Sequence, residues 1–309
     1  MKDFLFFTYS FVDNANLYFK SFEKAGYSCD YVDENTLESF FPEHQYRCVV
    51  RYLHCANTLS KTNSLINNEF RDALLVQHDD TDHENVQQWT HYNPQGGLVD
   101  PIGRPPDLIM QREYCAETKN PYACPIYPFH FPIPSVYDPS ITEKEYDVCF
   151  MANITNQRRV PFIKRVLELS KTTMSDLRWF IDITGVGGAG RTTNMRQILN
   201  KSKIGLHYFG NSNDSIRIWE IASCKTALLM PKMKSFSVAS DYMPFDEYEV
   251  MKDDFSDLEE KIRFLLENDR YAEQAERTQE EYLLNHAPEK CCEYYQEIVL
   301  KHLQAKEEK

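Results

Sequence analysis

Short runs of consecutive apolar residues alternate with stretches of helical period along most of the chain. Residues 4–8, 27–32, 48–53, 73–77, 107–111 and 124–127 read as strands. Their hydrophobicity is continuous rather than alternating, as expected of parallel strands covered on both faces. Between the first two, residues 14–25 predict a helix with Leu17, Phe19 and Phe22 apolar, and Gly26 stands where a left-handed cap would sit. Strand, helix and strand at this spacing form a βαβ unit.

Five prolines then fall close together, Pro125, Pro128, Pro132, Pro134 and Pro139, and force an extended connector. Past it the alternation restarts. Strands are predicted at 146–151, 177–183, 203–209 and 226–230. A helix over 156–169 carries Val160, Ile163, Val166 and Leu167, another runs through Met195 and Leu199, and a third covers 216–224. Ser256 and Glu259 have capping-box spacing ahead of Leu258, Ile262 and Leu265, and from Tyr271 the pattern stays helical to the charged end. The expected fold class is α/β, with two Rossmann-like domains over residues 1–138 and 139–285, then a terminal helix and tail over 286–309. The stretch 89–106 reads as a long loop.

A length of 309 residues suits two domains, and 42% hydrophobic residues supply two packed cores. No apolar run reaches the roughly 18–20 residues a membrane span needs. The N-terminal apolar segment is short, lacks a small-residue cleavage site, and reads as the first strand. A net charge of −13 argues against a grip on a nucleic-acid backbone but leaves room for a local diphosphate pocket. Nine scattered cysteines without paired Cys-x-x-Cys spacing read as reduced thiols of a cytoplasmic protein, not as zinc ligands.

The most informative stretch runs from Ser202 to Met230. A buried strand ends in a polar loop, and a helix opens at about Asp214 or Ser215. Free N–H groups and the helix dipole at such a start make an anion site. Arg217 and Glu220 stand three residues apart on one helical face, placing a carboxylate within reach of ribose hydroxyls. The plainer alternative is a surface ion pair of about 0.2–0.5 kcal/mol. At the fourth strand's end, His78, Asp79, Asp80, Asp82 and His83 face the crevice where α/β sheets bind ligands. They read as a metal site, as a base for an acceptor hydroxyl, or as a solvated acidic loop. The glycine-rich run 184–190 stands in the second domain, and the absence of a Gly-x-Gly-x-x-Gly fingerprint from the first βα turn ranks a Rossmann dehydrogenase last.

The Ser202–Met230 stretch resembles the donor-binding helix of group 1 glycosyltransferases of GT-B fold. It is most similar to the spore-maturation-like subset, in which Ser-Lys-Ile-x-Leu precedes Arg-x-Phe-Glu-x-x-Ala and a Leu-Leu strand. Here these are Ser202 to Leu206, Arg217 to Ala222, and Leu228-Leu229. Two departures stand out: the glycine usual after the donor helix is Cys224 or Lys225, and the first Glu of the Glu-x7-Glu pair falls at Ser212. The resemblance implies two domains facing across a cleft, with the last helix returning to the first. Asp214, Ser215, Arg217 and Glu220 would bind the donor, Glu220 through ribose. The turn containing Asn153, Thr155, Arg158 and Arg159 would lie by the diphosphate, and Gly185 by the nucleobase. Because such enzymes generally work without a metal, His78, Asp79 and Asp80 are expected to serve the acceptor.

The implied activity is sugar transfer from a nucleotide-diphosphate sugar to a hydroxyl, a carbohydrate acceptor in glycan assembly, with no further cofactor. A viral-type DNA-base glucosyltransferase is disfavoured by the acidity. A non-catalytic nucleotide-sugar-binding protein is the rival supported by the incomplete Glu pair.

Overall fold

In a computed structural model, the described residues are 1–8, 13–52, 56–79, 104–112, 114, 120, 122–154, 157–184, 195–210, 215–232, 246 and 249–309. They form two compact units, Met1–Pro132 with Pro288–Lys309, and Ile133–Ala287.

The first unit holds a parallel sheet in the order β2-β1-β3-β4-β5-β6. Its strands are β1 (Lys2–Phe7), β2 (Cys29–Val32), β3 (Tyr46–Tyr52), β4 (Leu74–Asp79), β5 (Leu108–Gln111) and β6 (Ile126–Pro128). Every residue of β4 and β5 is buried, the continuous burial that a doubly covered parallel strand requires. Helix α1 (Asp13–Lys24) ends at Gly26, whose φ of 91° is the left-handed cap expected there.

Alternate side chains of β1 and β3 divide between two cores. Phe4, Phe6, Cys48, Val50 and Tyr52 face Tyr18, Phe19 and Phe22 of α1 on one side. Leu5, Phe7 and Val49 face Ile66 of α2 (Ala56–Asn68) on the other.

The second unit holds a parallel sheet in the order β10-β9-β7-β8, built from β7 (Tyr146–Asn153), β8 (Trp179–Thr184), β9 (Ser202–Leu206) and β10 (Ala227–Leu229). Around it lie α3 (Arg159–Lys171), α4 (Met195–Asn200), α5 (Ile216–Ser223), α6 (Leu258–Leu266) and α7 (Arg270–Glu281). Its core joins Val148 and Phe150 of β7 to Phe162 and Val166 of α3 and to Leu258, Ile262 and Leu265 of α6. Lys225, after α5, has φ 53°, so a side chain occupies the left-handed conformation that a glycine adopts without cost.

Two sequence expectations are corrected. Ser256 does not cap α6: its hydroxyl bonds Asp254 at 2.8 Å, while Glu259 turns to Thr173 and Arg263. Asp257 holds the cap position, and its carboxylate accepts from the Lys252 amide, so the turn takes the groups that a capping box would use. The helix expected from Tyr271 onward is also broken. After α7 a π-helical turn (Tyr282–His286) leads to Ala287 at φ −57°, ψ 148°, and α8 (Pro288–Glu307) starts afresh. Pro288 forbids helical backbone in the residue before it and is suited to the first helical turn.

Helix α8 belongs to the first unit and packs on α1. Cys291, Tyr295, Val299 and Leu303 enter the aromatic core there. Among the described residues no helix is long and apolar enough to cross a membrane, and the described cysteines are free thiols.

Candidate donor site in the second unit

In the second sheet the chain reverses direction of travel between β7 and β9, because β8 lies on one side of β7 and β9 on the other. The carboxyl ends of strands flanking such a reversal leave a crevice between their outgoing loops. A cleft of about 260 Å³ lies there. Its walls come from Phe150 to Asn153 at the end of β7, Leu206 to Tyr208 at the end of β9, and Asp182 of β8. Arg159 at the start of α3, and Ser215, Ile216, Arg217 and Glu220 of the α5 segment, complete it.

Helix α5 is placed by its other face. Ile218, Trp219, Ile221 and Ala222 are buried, and Trp219 stacks on His286 with ring centroids 4.1 Å apart. Gly205 lets α5 close on β9, since a Cβ there would lie 3.0 Å from Ile221 Cδ1. Ser215 is the N-cap: its backbone is extended and its hydroxyl accepts from the Arg217 amide at 3.4 Å. The helix therefore begins at the cleft wall and turns its positive end toward it.

Arg217 and Glu220 are paired at 3.0 Å, with side chains only 19% and 9% exposed. The pair lines the cleft; it is not the surface ion pair that its spacing allowed. Arg217 also donates to Met195 Sδ.

Among the described residues, backbone carbonyls hold Arg159. Its Nε faces the Tyr208 and Phe209 oxygens at 3.2 and 3.3 Å, and Nη1 the Asn153 oxygen at 3.4 Å. No carboxylate among the described residues pairs with it. Burial, then the neighbouring Arg217, pulls its pKa below the usual guanidinium range. Two guanidinium groups and a helix start share the cleft with the carboxylates of Glu220 and Asp182, and the guanidinium groups and N–H dipoles are the groups there suited to an anion.

Gly210 makes the Arg159 position available. A Cβ there would come within 2.6 Å of Nη2 and 2.9 Å of Cζ, while the glycine's own backbone suits any residue. Gly210→Ala is therefore expected to push the guanidinium aside and lower diphosphate affinity by about tenfold, with a melting temperature within about 2 °C of wild type. Titration calorimetry alongside thermal melting checks this, and unchanged affinity would show that Arg159 has room to spare.

Of the residues singled out from the sequence, the structure brings Asn153, Arg159, Ser215, Arg217 and Glu220 together. Arg158 precedes α3, is exposed, and does not line the cleft. Thr155, Gly185 and Asp214 lie outside the described residues, as does Asp80.

His78 and Asp79 end β4 in the first unit, 0% and 1% exposed. His78 is ringed by Tyr18, Phe19, Tyr52, Phe129 and Tyr295, and its Nδ1 meets the Tyr295 hydroxyl at 3.1 Å. Burial, then Arg112, pushes its pKa down to about 3, so it sits in this core as a neutral imidazole. Among the described residues no group of three His, Cys, Asp or Glu side chains could hold a metal ion.

Other cleft residues, Asp182 and His207 among them, were not singled out from the sequence. His207 follows β9 directly and reads in the sequence as part of that strand. It is 3% exposed, and its Nε2 finds no hydrogen-bond partner among the described residues. A histidine directly after the buried Ile204-Gly205-Leu206 end of a strand was the available signal.

Residues 165–297 match a family model described as glycosyl transferase-like. No curated protein sequence matches the chain. Among solved structures, HepE of Anabaena, crystallised with UDP and glucose, is 10% identical with a TM-score of 0.57, over 97% of this chain and 100% of that one. Sucrose-phosphate synthase of Thermosynechococcus elongatus is 8% identical with a TM-score of 0.63, over 99% of this chain and 100% of that one. TarM is 12% identical with a TM-score of 0.55 over 83% of this chain, which spans 54% of TarM's length. Likeness at such low identity establishes the architecture. The chain thus has the GT-B fold, and it carries a glycosyl transferase-like segment, most of it in the second unit, that includes His207, Arg217 and Glu220.

Proposed function

We propose that the protein is a glycosyltransferase that moves a sugar from a nucleotide-diphosphate sugar to a hydroxyl acceptor, a carbohydrate in glycan assembly. The observation that carries this reading is the pairing of Arg159, which has no carboxylate partner among the described residues, with the α5 start at the sheet's reversal point. HepE, of the same fold, was crystallised with UDP-glucose.

The chemistry follows from where charge develops. As the bond from the anomeric carbon to the diphosphate oxygen breaks, negative charge grows on the leaving group. Fixed cations and N–H dipoles stabilise it most where water is scarce. Arg159, Arg217 and the α5 start are the groups in place for this, and Glu220 accepts from the ribose hydroxyls. The acceptor oxygen forms the new bond and loses its proton, for which Asp79 and Asp80 are the proposed bases on the first unit. His78, enclosed and neutral, supports β4 in this scheme.

Incubation with a panel of nucleotide sugars, monitored for slow donor hydrolysis, separates a transferase from a binding protein. Glu220→Ala should weaken nucleoside diphosphate binding by about tenfold or more, as loss of a charge-assisted hydrogen bond does. Wild-type affinity in that variant, by calorimetry, would remove Glu220 from the donor site.

A further inference from the structure

His207 has an unusual position for a histidine. It stands at the carboxyl end of β9, with its amide bonded to the Leu229 carbonyl at 3.0 Å, which fixes its backbone, and it lines the cleft. It is 3% exposed, yet Nε2 has no hydrogen-bond partner among the described residues. A buried polar atom left without a partner is costly, so a position that keeps one is expected to gain from a ligand.

The charged groups around the ring define that ligand. Arg159 from α3 and Arg217 from α5 both act on it, and Asp182 of β8 and Glu220 of α5 line the same cleft. Burial, reinforced by the two arginines, pushes the imidazole pKa down to about 3. The ring is therefore neutral across the physiological range. A neutral imidazole still carries one N–H, and the side facing two guanidinium groups is where an anion would lie.

Building on the donor-site reading above, we propose that His207 is a positioning residue for the donor diphosphate, its Nε2–H donating to a phosphoryl oxygen held by Arg159 and Arg217. The division of labour has a physical basis. The arginines supply charge, which attracts the diphosphate from any direction; a third cation would repel them. A neutral, directional donor instead fixes how the diphosphate is turned, and with it the direction in which the sugar leaves.

The test compares His207→Phe, which keeps an aromatic ring, with His207→Gln, whose amide nitrogen reaches the place of Nε2. UDP and uridine are the probes, titrated calorimetrically into wild type and both variants. His207→Phe should lose about tenfold in UDP affinity and nothing in uridine affinity, and His207→Gln should recover most of the loss. The ratio of wild-type to His207→Phe affinity should be the same at about pH 5.5 and about pH 8, because a neutral donor does not titrate there.

Three outcomes overturn the proposal. UDP affinity unchanged in His207→Phe would leave the ring a packing role. Equal loss of uridine and UDP would mean that the whole cleft had moved. A ratio rising as pH falls would mean that the ring binds as a cation. If wild type binds neither UDP nor the guanosine, adenosine and thymidine diphosphates, the donor-site reading falls as well. Loss confined to the variants, or its absence there, bears on His207 alone.

Discussion

Arg159→Met should lower kcat/KM for sugar transfer by about 10²–10³-fold, the usual cost of removing one fixed group that stabilises developing charge. The melting temperature should hardly move. Arg159 gives up hydrogen bonds to the carbonyls of Asn153, Tyr208 and Phe209. It also ceases to place a guanidinium among buried groups without a counter-charge from the described residues, and the two effects oppose each other. Most of the lost activity should appear in kcat, because the leaving group carries more charge in the transition state than in the bound donor. Arg159→Lys should recover only part of it, since an ammonium cannot span three carbonyls and keep a further N–H over Gly210. Turnover within about twofold of wild type in Arg159→Met would sink the assignment of the cleft.

The second large effect is on stability. Trp219 is 0% exposed at the centre of α5 and stacks on His286 from the turn after α7. Trp219→Ala should destabilise the second unit by about 3–5 kcal/mol, the range for deleting a large buried aromatic. For a unit of this size that is a fall of about 10 °C in its melting transition. Donor affinity should fall in step, since Trp219 fixes the pitch of the helix that carries Ser215, Arg217 and Glu220. Differential scanning calorimetry, with and without nucleoside diphosphate, measures both. A shift below about 2 °C would mean that α5 is held by Ile218 and Ile221 without the indole.

Much of the second unit was legible in the sequence because its signals are local. A buried strand, a serine cap and a helix with one apolar face appear within residues 202–223, and together they dictate a helix start beside a strand end. His207 and His78 mark the limit of such reading. Each is a histidine at the carboxyl end of a buried parallel strand. What differs is the surroundings: rings from α1, α8 and the segment after β6 enclose His78, whereas a cleft with two arginines receives His207. Those neighbours come from distant parts of the chain, so no window around either residue reports them. Ser256 misled for a related reason, since its capping-box spacing was met while Asp254 competed for its hydroxyl.

Helix α8 has a consequence for how the molecule is made. The face of the first sheet that carries Phe4, Phe6 and Val50 is completed by Tyr295, Val299 and Leu303. A ribosome emits the whole second unit between those two sets of residues. The first half to emerge is thus the last that can finish folding. It must wait with aromatic surface uncovered, while the second unit can close its own core during synthesis. A chain truncated after Ala287 should therefore carry a protease-resistant second unit and a protease-sensitive first one, and the full chain should protect both.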